Sequence, residues 1–262
     1  MEHFLDTVET IPEGFGFPAL GITHLCWLAA LGAFIVGSVM AYQGLDMARR
    51  QKMRRLYALL LLANELFKMV CLTIGGNYLV KYLPLHLCSL NALALPIAVF
   101  TKNKILNNTL LLWCFGALFA LVLNNSVAEA ELFSDVFIFY YFPHVLELAI
   151  PILMFALGLA KKDVRCIFST LGITFLLYTV IHFINLWVNA YAVKNNIVDW
   201  AGNVIKVNYM FSLRPENPLL DLFYKIIPHP YWYMYLSAIL MVIVLGLVYL
   251  KDIITLIKKT VK

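Results

Sequence analysis

Residues 21–42 read GITHLCWLAALGAFIVGSVMAY and contain no Asp, Glu, Lys or Arg. A helix needs about 20 apolar residues to cross the roughly 30 Å of hydrocarbon in a bilayer. The stretch therefore predicts a transmembrane helix. Six further stretches meet the same criterion, and the predicted helices cover residues 21–42, 55–74, 83–100, 105–124, 142–160, 164–188 and 231–250.

The composition of the whole chain is typical of an integral membrane protein. Hydrophobic residues make up 62% and charged residues only 13%, and the mean hydropathy is +0.82. Soluble domains carry about 25% charged residues. The alternation typical of an outer-membrane barrel is missing from the sequence. We therefore predict an all-α, polytopic membrane helix bundle, in which residues 1–262 form one integral membrane domain with seven transmembrane helices.

The distribution of basic residues predicts the orientation of these helices. Loops rich in Lys and Arg stay in the cytosol, and most of the basic residues follow predicted helices one, three and five or lie in the C-terminal tail. The N-terminal segment carries Glu2, Asp6, Glu9 and Glu13 without any Lys or Arg, so it lacks the basic start of a signal peptide. The sequence predicts an outside N-terminus, a cytosolic C-terminus and a multi-pass location in the bacterial plasma membrane.

Charge and cysteine content exclude several partners and cofactors. The net charge of +5 is explained by the cytosolic loops, so membrane lipids are the expected partners and nucleic acid is not. Five single cysteines show neither a disulfide pattern nor zinc-ligand spacing: Cys26, Cys71, Cys88, Cys114 and Cys166. We expect no cofactor and no metal, although His86, His144, Glu147 and His182 are predicted at a similar depth.

Polar side chains inside the predicted helices mark the candidate site. An ionisable group in a membrane is costly and is therefore a functional hypothesis by default. The predicted helices bring most of these groups to one depth near the outer surface, which favours a hydrated cavity open to the outer leaflet. The alternative is that they only form structural hydrogen bonds between helices. The residues concerned are Glu65, Lys68, His86, Cys88, Asn91, His144, Glu147, Tyr178, His182 and Asn185.

A long segment at residues 191–230 is predicted to be an outer loop. Long loops in compact proteins are more often lids or binding elements than spacers. Asn208, Tyr209 and Arg214 lie in its central string NYMFSLRP and are candidate cavity residues. A surface hairpin without chemistry is the alternative.

Several strings resemble the YwaF family of bacterial integral membrane proteins, which is related to the eukaryotic transmembrane protein 164 group. They are Glu65, PLHLC at residues 84–88, His144 after an aromatic run, NYMFSLRP at residues 208–215 and PYWY at residues 230–233. The resemblance implies a seven-helix protein, and the eukaryotic branch is regarded as a cysteine-dependent phospholipid acyltransferase. Where the bacterial pattern is closer to LxxKP, this chain has SLRP, so Arg214 supplies the cation.

Acyl transfer is chemically reasonable for these residues. A thiol needs a base, and His144 or His86 is a candidate to activate Cys88. His86 is only two residues from Cys88 and would face another way on a helix, so His144 is the better partner. Glu147 would then orient the imidazole, and Asn91 or Asn208 would stabilise an oxyanion.

Three interpretations stay open. The first is a lipid acyltransferase or acyl hydrolase that uses Cys88 and His144. The second is a transporter or small-solute binding protein, in which Glu65, His144 and a polar stripe on the sixth helix line a pathway. The stripe consists of Thr174, Tyr178, His182, Asn185 and Asn189. The third is a non-catalytic membrane scaffold, in which the polar groups hold the helices together.

Overall fold

The computed structural model of the chain describes residue 18 and residues 20–74, 80, 83–123, 141–198 and 202–260. Regular structure in these ranges is helical, apart from one isolated β-bridge between Val198 and Val204. The predicted all-α class is confirmed. The α-helices are α1 Ile22–Gln43, α2 Met47–Ile74, α3 Leu87–Thr101, α4 Lys104–Leu123, α5 Phe142–Ala156, α6 Ile167–Lys194, α7 Pro218–Ile226, α8 Tyr235–Val248 and α9 Leu250–Thr260.

Four helical segments of the described chain are long and apolar enough to cross a membrane, namely α1, α2, α4 and the segment Val164–Lys194. A fifth span is obtained if α8 and α9, which bend by 66° at their junction, are counted as one. Both α3 and α5 are apolar but only 15 residues long, about 22 Å at 1.5 Å per residue. The membrane class is confirmed, and seven spans stay a prediction.

Helix boundaries differ from the predicted ones in several places. The basic string MARRQKMRR, predicted as a loop, forms the start of α2. Helix α3 begins at Leu87 instead of residue 83, because Pro84 favours extended backbone at the residue before it. Helix α5 ends at Ala156 instead of residue 160, and Gly158 with φ +69° follows its end. Helix α6 continues to Lys194 instead of residue 188.

The predicted outer loop 191–230 contains a helix of its own. Pro218 opens α7, and the side chain of Asn217 accepts a hydrogen bond from the Leu220 N–H at 2.9 Å. An Asn cap followed by Pro is a common helix start, so this signal was present in the sequence. A second element, the 3-10 turn Tyr209–Phe211, lies earlier in the same segment.

The chain divides into two compact units. The first unit comprises Met1–Tyr78, Leu87–Asn103 and Trp113–Lys161, and the second comprises Leu79–His86, Lys104–Leu112 and Lys162–Lys262. The prediction of a single domain is not tested by this division. Each unit has its own helix packing.

Helix α2 organises the first unit by packing against α3 and α5, while α1 packs against α5. Its buried face follows a helical spacing and has charged residues near both ends: Arg54, Ala58, Leu61 and Glu65. Arg54 donates from Nη2 to the Val99 carbonyl at 2.9 Å, which satisfies one of the free carbonyls in the last turn of α3. This structural role of Arg54 was not predicted from the sequence.

His24 is a second buried polar residue that the sequence analysis missed. Its Nδ1 accepts a hydrogen bond from the Leu20 N–H at 2.8 Å, so Nε2 carries the proton and donates to the Leu121 carbonyl at 2.8 Å. The imidazole therefore joins α1 to α4 as a neutral group. A lone His in a helix was a weak signal, because the sequence did not reveal the carbonyl opposite it.

Asn108 of α4 connects three parts of the second unit. Its Oδ1 accepts hydrogen bonds from the Asp163 N–H at 3.1 Å and from the Tyr249 hydroxyl. Asp163 also forms an ion pair with Lys104 at the start of α4. The connection that precedes α6 and the junction of α8 and α9 are thereby bound to one helix end.

Candidate functional site

Polar side chains of α2, α3 and α5 form one group in the first unit. We call this group the Cys88 cluster: Glu65, Lys68, Cys88, Ser89, Asn91, His144 and Glu147. Only 1% of Glu65, 2% of Glu147 and 5% of His144 is exposed. Burying ionisable groups costs several kcal/mol each unless they are paired and hydrogen-bonded. The cluster is therefore costly for the fold, which makes it the leading candidate site.

Helix α2 contributes an ion pair to the cluster. Lys68 Nζ lies 2.6 Å from Glu65 Oε2, and it also donates to Ser89 Oγ at 3.3 Å. The two residues are three apart, so they share one face of α2. The ammonium is thus shared between a carboxylate of α2 and the first turn of α3.

Cys88 lies in the first turn of α3, which begins at Leu87. Lys68 and Glu65 of α2 act electrostatically on the Cys88 thiol. First-turn N–H groups have no partner within their helix and stabilise negative charge. Cys88 as a residue is partly exposed, and so is Lys68, whereas Glu65, His144 and Glu147 are buried.

Helix α5 supplies the acid–base groups. The Glu147 carboxylate interacts electrostatically with His144, Cys88 and Lys68. Asn91 donates from Nδ2 to Glu147 Oε2 at 3.4 Å, which joins α3 to α5. Glu147 is therefore the acidic group of the cluster that lies within electrostatic range of both the imidazole and the thiol.

Two acceptor atoms in the cluster have no hydrogen-bond donor among the described residues. They are Glu65 Oε1 and Asn91 Oδ1, and both are fully buried. Native proteins rarely leave buried acceptors unsatisfied, so such atoms point to a water molecule or a ligand. The cluster has capacity to accept hydrogen bonds from a bound group.

In the second unit, two residues of the polar stripe of α6 form hydrogen bonds with the backbone of the segment before residue 210. Asn185 accepts from the Tyr209 N–H at 2.9 Å and donates to the Tyr209 carbonyl at 2.8 Å. Asn189 does the same with Val207, at 2.7 and 3.0 Å. Four helical residues rise about 6 Å, close to the 6.6 Å or so of two extended residues, so the spacings match. We call this pairing the amide clamp.

His182 is bound through the same segment. Ser212 Oγ accepts from Asn185 Nδ2 at 2.9 Å and lies 3.0 Å from His182 Nδ1. Tyr178 donates its hydroxyl to the Tyr231 carbonyl at 3.0 Å, and the two rings stack with centroids 5.1 Å apart. Ser212 and Tyr231 were not predicted as site residues, although both lie within the quoted strings NYMFSLRP and PYWY.

The remaining predicted residues shape the 208–216 segment. Asn208 Oδ1 accepts from the Leu213 N–H at 2.9 Å, and Nδ2 donates to the Arg214 carbonyl at 2.9 Å. The Arg214 side chain is exposed and pairs with Glu216 at 3.3 Å. His86 packs edge-on against Tyr209, with ring centroids 5.6 Å apart. In these contacts Asn208 has a structural role.

Two groups of predicted residues therefore emerge, one in each unit. The Cys88 cluster unites Glu65, Lys68, Cys88, Asn91, His144 and Glu147. The second unit holds the other seven: His86, Tyr178, His182, Asn185, Asn208, Tyr209 and Arg214. One cavity lined by all of them stays a prediction.

A groove of about 470 Å³ runs along α6 in the second unit. We call it the His182 groove. Tyr231 lines it with φ 64°, a left-handed conformation that costs a residue with a side chain about 1–2 kcal/mol. Such strain persists where surrounding contacts over-determine it, often at binding sites. Six residues that line the groove are His182, Phe183, Leu186, Leu213, Tyr231 and Trp232.

The described residues contain no group of three His, Cys, Asp or Glu side chains that could hold a metal ion. Helices of this length and hydropathy, together with buried ionisable groups, define an α-helical integral membrane protein. The model of the TMEM164 family matches residues 19–249, and the chain belongs to that family. The resemblance stated from the sequence is thereby confirmed. No curated protein and no solved structure matches the chain.

Proposed function

We propose that the chain is a membrane enzyme that transfers an acyl group of a phospholipid through a thioester on Cys88. One observation carries the proposal: the buried Glu147 carboxylate lies within electrostatic range of both His144 and Cys88, and Cys88 is a partly exposed residue in the first turn of α3. A nucleophile, a base and a group that orients the base are the parts that covalent catalysis needs. Membership of the TMEM164 family agrees with a lipid substrate because the sequence resemblance implies acyl transfer.

The first step forms the thioester. Cys88 Sγ attacks the ester carbonyl carbon while the His144–Glu147 pair takes the thiol proton. The oxyanion accepts hydrogen bonds from first-turn N–H groups of α3, which act like an oxyanion hole. The C–O bond then breaks, and the leaving alkoxide regains the proton, so a lysophospholipid departs and acyl-Cys88 remains.

The second step decides between transferase and hydrolase. A lysophospholipid hydroxyl attacks the thioester, gives its proton to the same base and releases the thiolate, which is reprotonated. If water attacks instead, the product is a free fatty acid.

The proposal includes the finer topology. In it α3, α5 and the bent α8–α9 pair cross the membrane together with the four longer spans. The N-terminus lies outside and the C-terminus lies in the cytosol, in the bacterial plasma membrane. The first turn of α3 then approaches the outer leaflet, where membrane lipids are the substrates.

Thioester trapping tests the proposal. Purified protein is incubated with vesicles of phosphatidylcholine that carries a radiolabelled acyl chain, and hydroxylamine-sensitive label on the protein is counted. The wild type should acquire label, and Cys88→Ala should reduce it to background. Cys71→Ala, which removes another buried cysteine of the first unit, is the matched control and should retain label.

A second variant probes the base. His144→Gln should lower the rate of labelling by roughly 10²-fold or more, the usual contribution of a general base. Labelling that survives Cys88→Ala would reject the thioester. Wild-type protein that is folded but never labelled, and that instead moves or binds a small solute, would support the transporter interpretation.

A further inference from the structure

Helix α9 is amphipathic, and its apolar face is exposed. Four apolar side chains at helical spacing share that face, namely Leu250, Ile253, Ile254 and Ile257. Leu250 is 51% exposed, Ile254 44% and Ile257 56%. A helix at the surface of a soluble protein turns such a face toward the core. The face of α9 therefore requires an apolar partner from outside the described chain.

The polar side of α9 faces the protein. The Asp252 carboxylate pairs with Lys162 Nζ at 3.5 Å, and Lys162 belongs to the connection between α5 and α6. Asp252 and Ile257 are five residues apart, which places them roughly 140° apart around a helix of 3.6 residues per turn. The acidic residue thus points to the protein, and the apolar face points away from it.

Lys162 also holds the junction between α8 and α9. Its Nζ donates to the Val248 carbonyl at 2.9 Å, and it lies 5.7 Å from the centre of the Tyr249 ring. Tyr249 is buried, and its hydroxyl donates to Asn108. One ammonium group therefore contacts the end of α8, the residue at the bend and the first turn of α9. These contacts stabilise the 66° bend.

The bend determines how α9 lies relative to the membrane. In the proposed topology the α8–α9 pair crosses the bilayer, and residues 232–248 supply about 25 Å of helix for it. If α8 follows the membrane normal, α9 is tilted 66° from it and lies closer to the membrane plane. A helix in this position buries its apolar face at the acyl boundary and leaves its polar face among the headgroups.

Two lysines of α9 indicate which headgroups it meets. Lys251 and Lys258 are exposed and lie seven residues apart, so they occupy one flank of the apolar face. Long Lys side chains at a membrane extend their ammonium groups to the headgroups. Because Asp252 already has Lys162 as its counter-ion, the charge of Lys251 and Lys258 remains available for anionic lipid.

We propose that α9 is an interfacial helix that binds anionic glycerophospholipids. Ile254 and Ile257 lie in the hydrocarbon, and Lys251 and Lys258 contact the phosphate groups. The anionic lipid is a bound partner and not the acyl donor, so the contact needs no chemistry at Cys88. It rests on the proposed crossing of α8, which a separate label on α8 tests.

Accessibility of nitroxide side chains tests the position of α9. The full chain with Ile257→Cys is spin-labelled in vesicles of phosphatidylcholine and phosphatidylglycerol, and relaxation by oxygen and by a water-soluble nickel chelate is compared. Oxygen concentrates in hydrocarbon, so the Ile257→Cys label should respond more strongly to oxygen. Thr255→Cys, exposed on the polar side of the same helix, is the matched control and should respond more strongly to the chelate. The unsubstituted chain corrects for native cysteines.

Val242→Cys reports the crossing of α8 in the same vesicles. Val242 is exposed near the middle of α8, so its label should respond to oxygen. If it does and the Ile257→Cys label responds to the chelate, α9 lies in water and the interfacial helix is rejected while the crossing holds. Shielding of Ile257→Cys from both reagents, with broadening by a second spin, would assign the face to a second copy and reject the lipid. A chelate response at Val242→Cys would overturn the crossing and the interfacial helix together.

Lipid quenchers test the headgroup preference. A bimane fluorophore replaces the nitroxide on Ile257→Cys, and nitroxide-labelled phosphatidylglycerol is compared with nitroxide-labelled phosphatidylcholine at equal mole fraction. Phosphatidylglycerol should quench as if enriched about fivefold beside α9, the factor that one Lys near an anionic surface contributes. The excess should fall at about 1 M salt, where screening acts within about 3 Å.

Charge removal assigns the preference to α9. Lys251→Gln with Lys258→Gln should abolish the excess quenching by phosphatidylglycerol. Lys194→Gln with Lys206→Gln removes the same charge from exposed positions elsewhere in the second unit and should leave the excess unchanged. Equal quenching by the two lipids in the chain with all four lysines would overturn the headgroup preference. An excess that survives Lys251→Gln with Lys258→Gln would overturn the role of the α9 lysines.

Discussion

The Glu65–Lys68 ion pair is the clearest energetic feature at the scale of single residues. The Lys68 side chain is 18% exposed and that of Glu65 only 2%, so removal of the ammonium would leave a buried carboxylate without its counter-ion. Such losses cost about 3–5 kcal/mol, although replacing a whole buried pair by uncharged groups is often neutral. The pair is therefore better explained by function than by stability.

A double-variant cycle tests this view. Lys68→Met should destabilise the protein by roughly 3 kcal/mol, and Glu65→Gln in the same chain should restore most of the loss. Thermal unfolding in detergent measures both effects. The exposed pair Arg49–Asp46 is the control, and Arg49→Met should change stability by less than about 1 kcal/mol. Additive losses from the two buried substitutions would contradict the pairing.

The sequence predicted which polar residues share a helix face better than it predicted which groups those residues contact. Glu65 and Lys68 are three residues apart, so the helical periodicity of α2 alone predicts that they share one face. The same periodicity indicated a stripe on α6, but the sequence did not reveal that Asn185 and Asn189 bind the backbone of Val207 and Tyr209. Such contacts depend on where the segment after α6 folds back against the helix. Patterns between residues close in sequence do not encode that position.

At the scale of elements, the conformation of the residues that follow a helix determines how that helix ends. Gly158 follows α5 with φ +69°, and the next N–H, of Leu159, donates to the Met154 carbonyl at 2.8 Å. A side chain at Gly158 would meet no atom within 4 Å, so backbone conformation alone makes glycine necessary there.

Two alanine substitutions should therefore have opposite effects on stability. Gly158→Ala should destabilise the protein by about 1–2 kcal/mol because of its positive φ. Gly172→Ala lies inside α6, also with no atom within 4 Å, and should stabilise by up to about 1 kcal/mol. Thermal unfolding of the two variants side by side gives the comparison. A stabilising Gly158→Ala would show that this helix end relaxes into another conformation.

Apolar runs predicted the existence of helices well and their ends less well. All seven predicted helices correspond to helical segments, because long hydrophobic stretches are strong signals. The string MARRQKMRR extends α2 because Arg, Lys, Met and Gln are good helix formers, which charge counting overlooked. The cap at Asn217 and Pro218 was visible, but a search for membrane spans passes over a short surface helix.

Orientation in the membrane belongs to the scale of the whole molecule. If α5 crosses the bilayer together with α4 and α6, residue 103 and residue 206 lie on opposite sides. Asn103→Cys should then react with a membrane-impermeant maleimide only after right-side-out vesicles are permeabilised, and Lys206→Cys should react in intact vesicles. Both positions are exposed, and the unsubstituted chain corrects for native cysteines. The same accessibility at both positions would mean that α5 does not cross.

The shortness of α3 and α5 has a consequence for the surrounding lipid. If α3 and α5 cross the bilayer, their length of about 22 Å is shorter than the roughly 30 Å thickness of the hydrocarbon. Bilayers respond to hydrophobic mismatch by thinning beside the protein. Headgroups and their ester linkages would then descend toward the start of α3, so the host membrane itself would help deliver a carbonyl to the thiol. Membranes with shorter acyl chains would supply that proximity at a lower deformation cost.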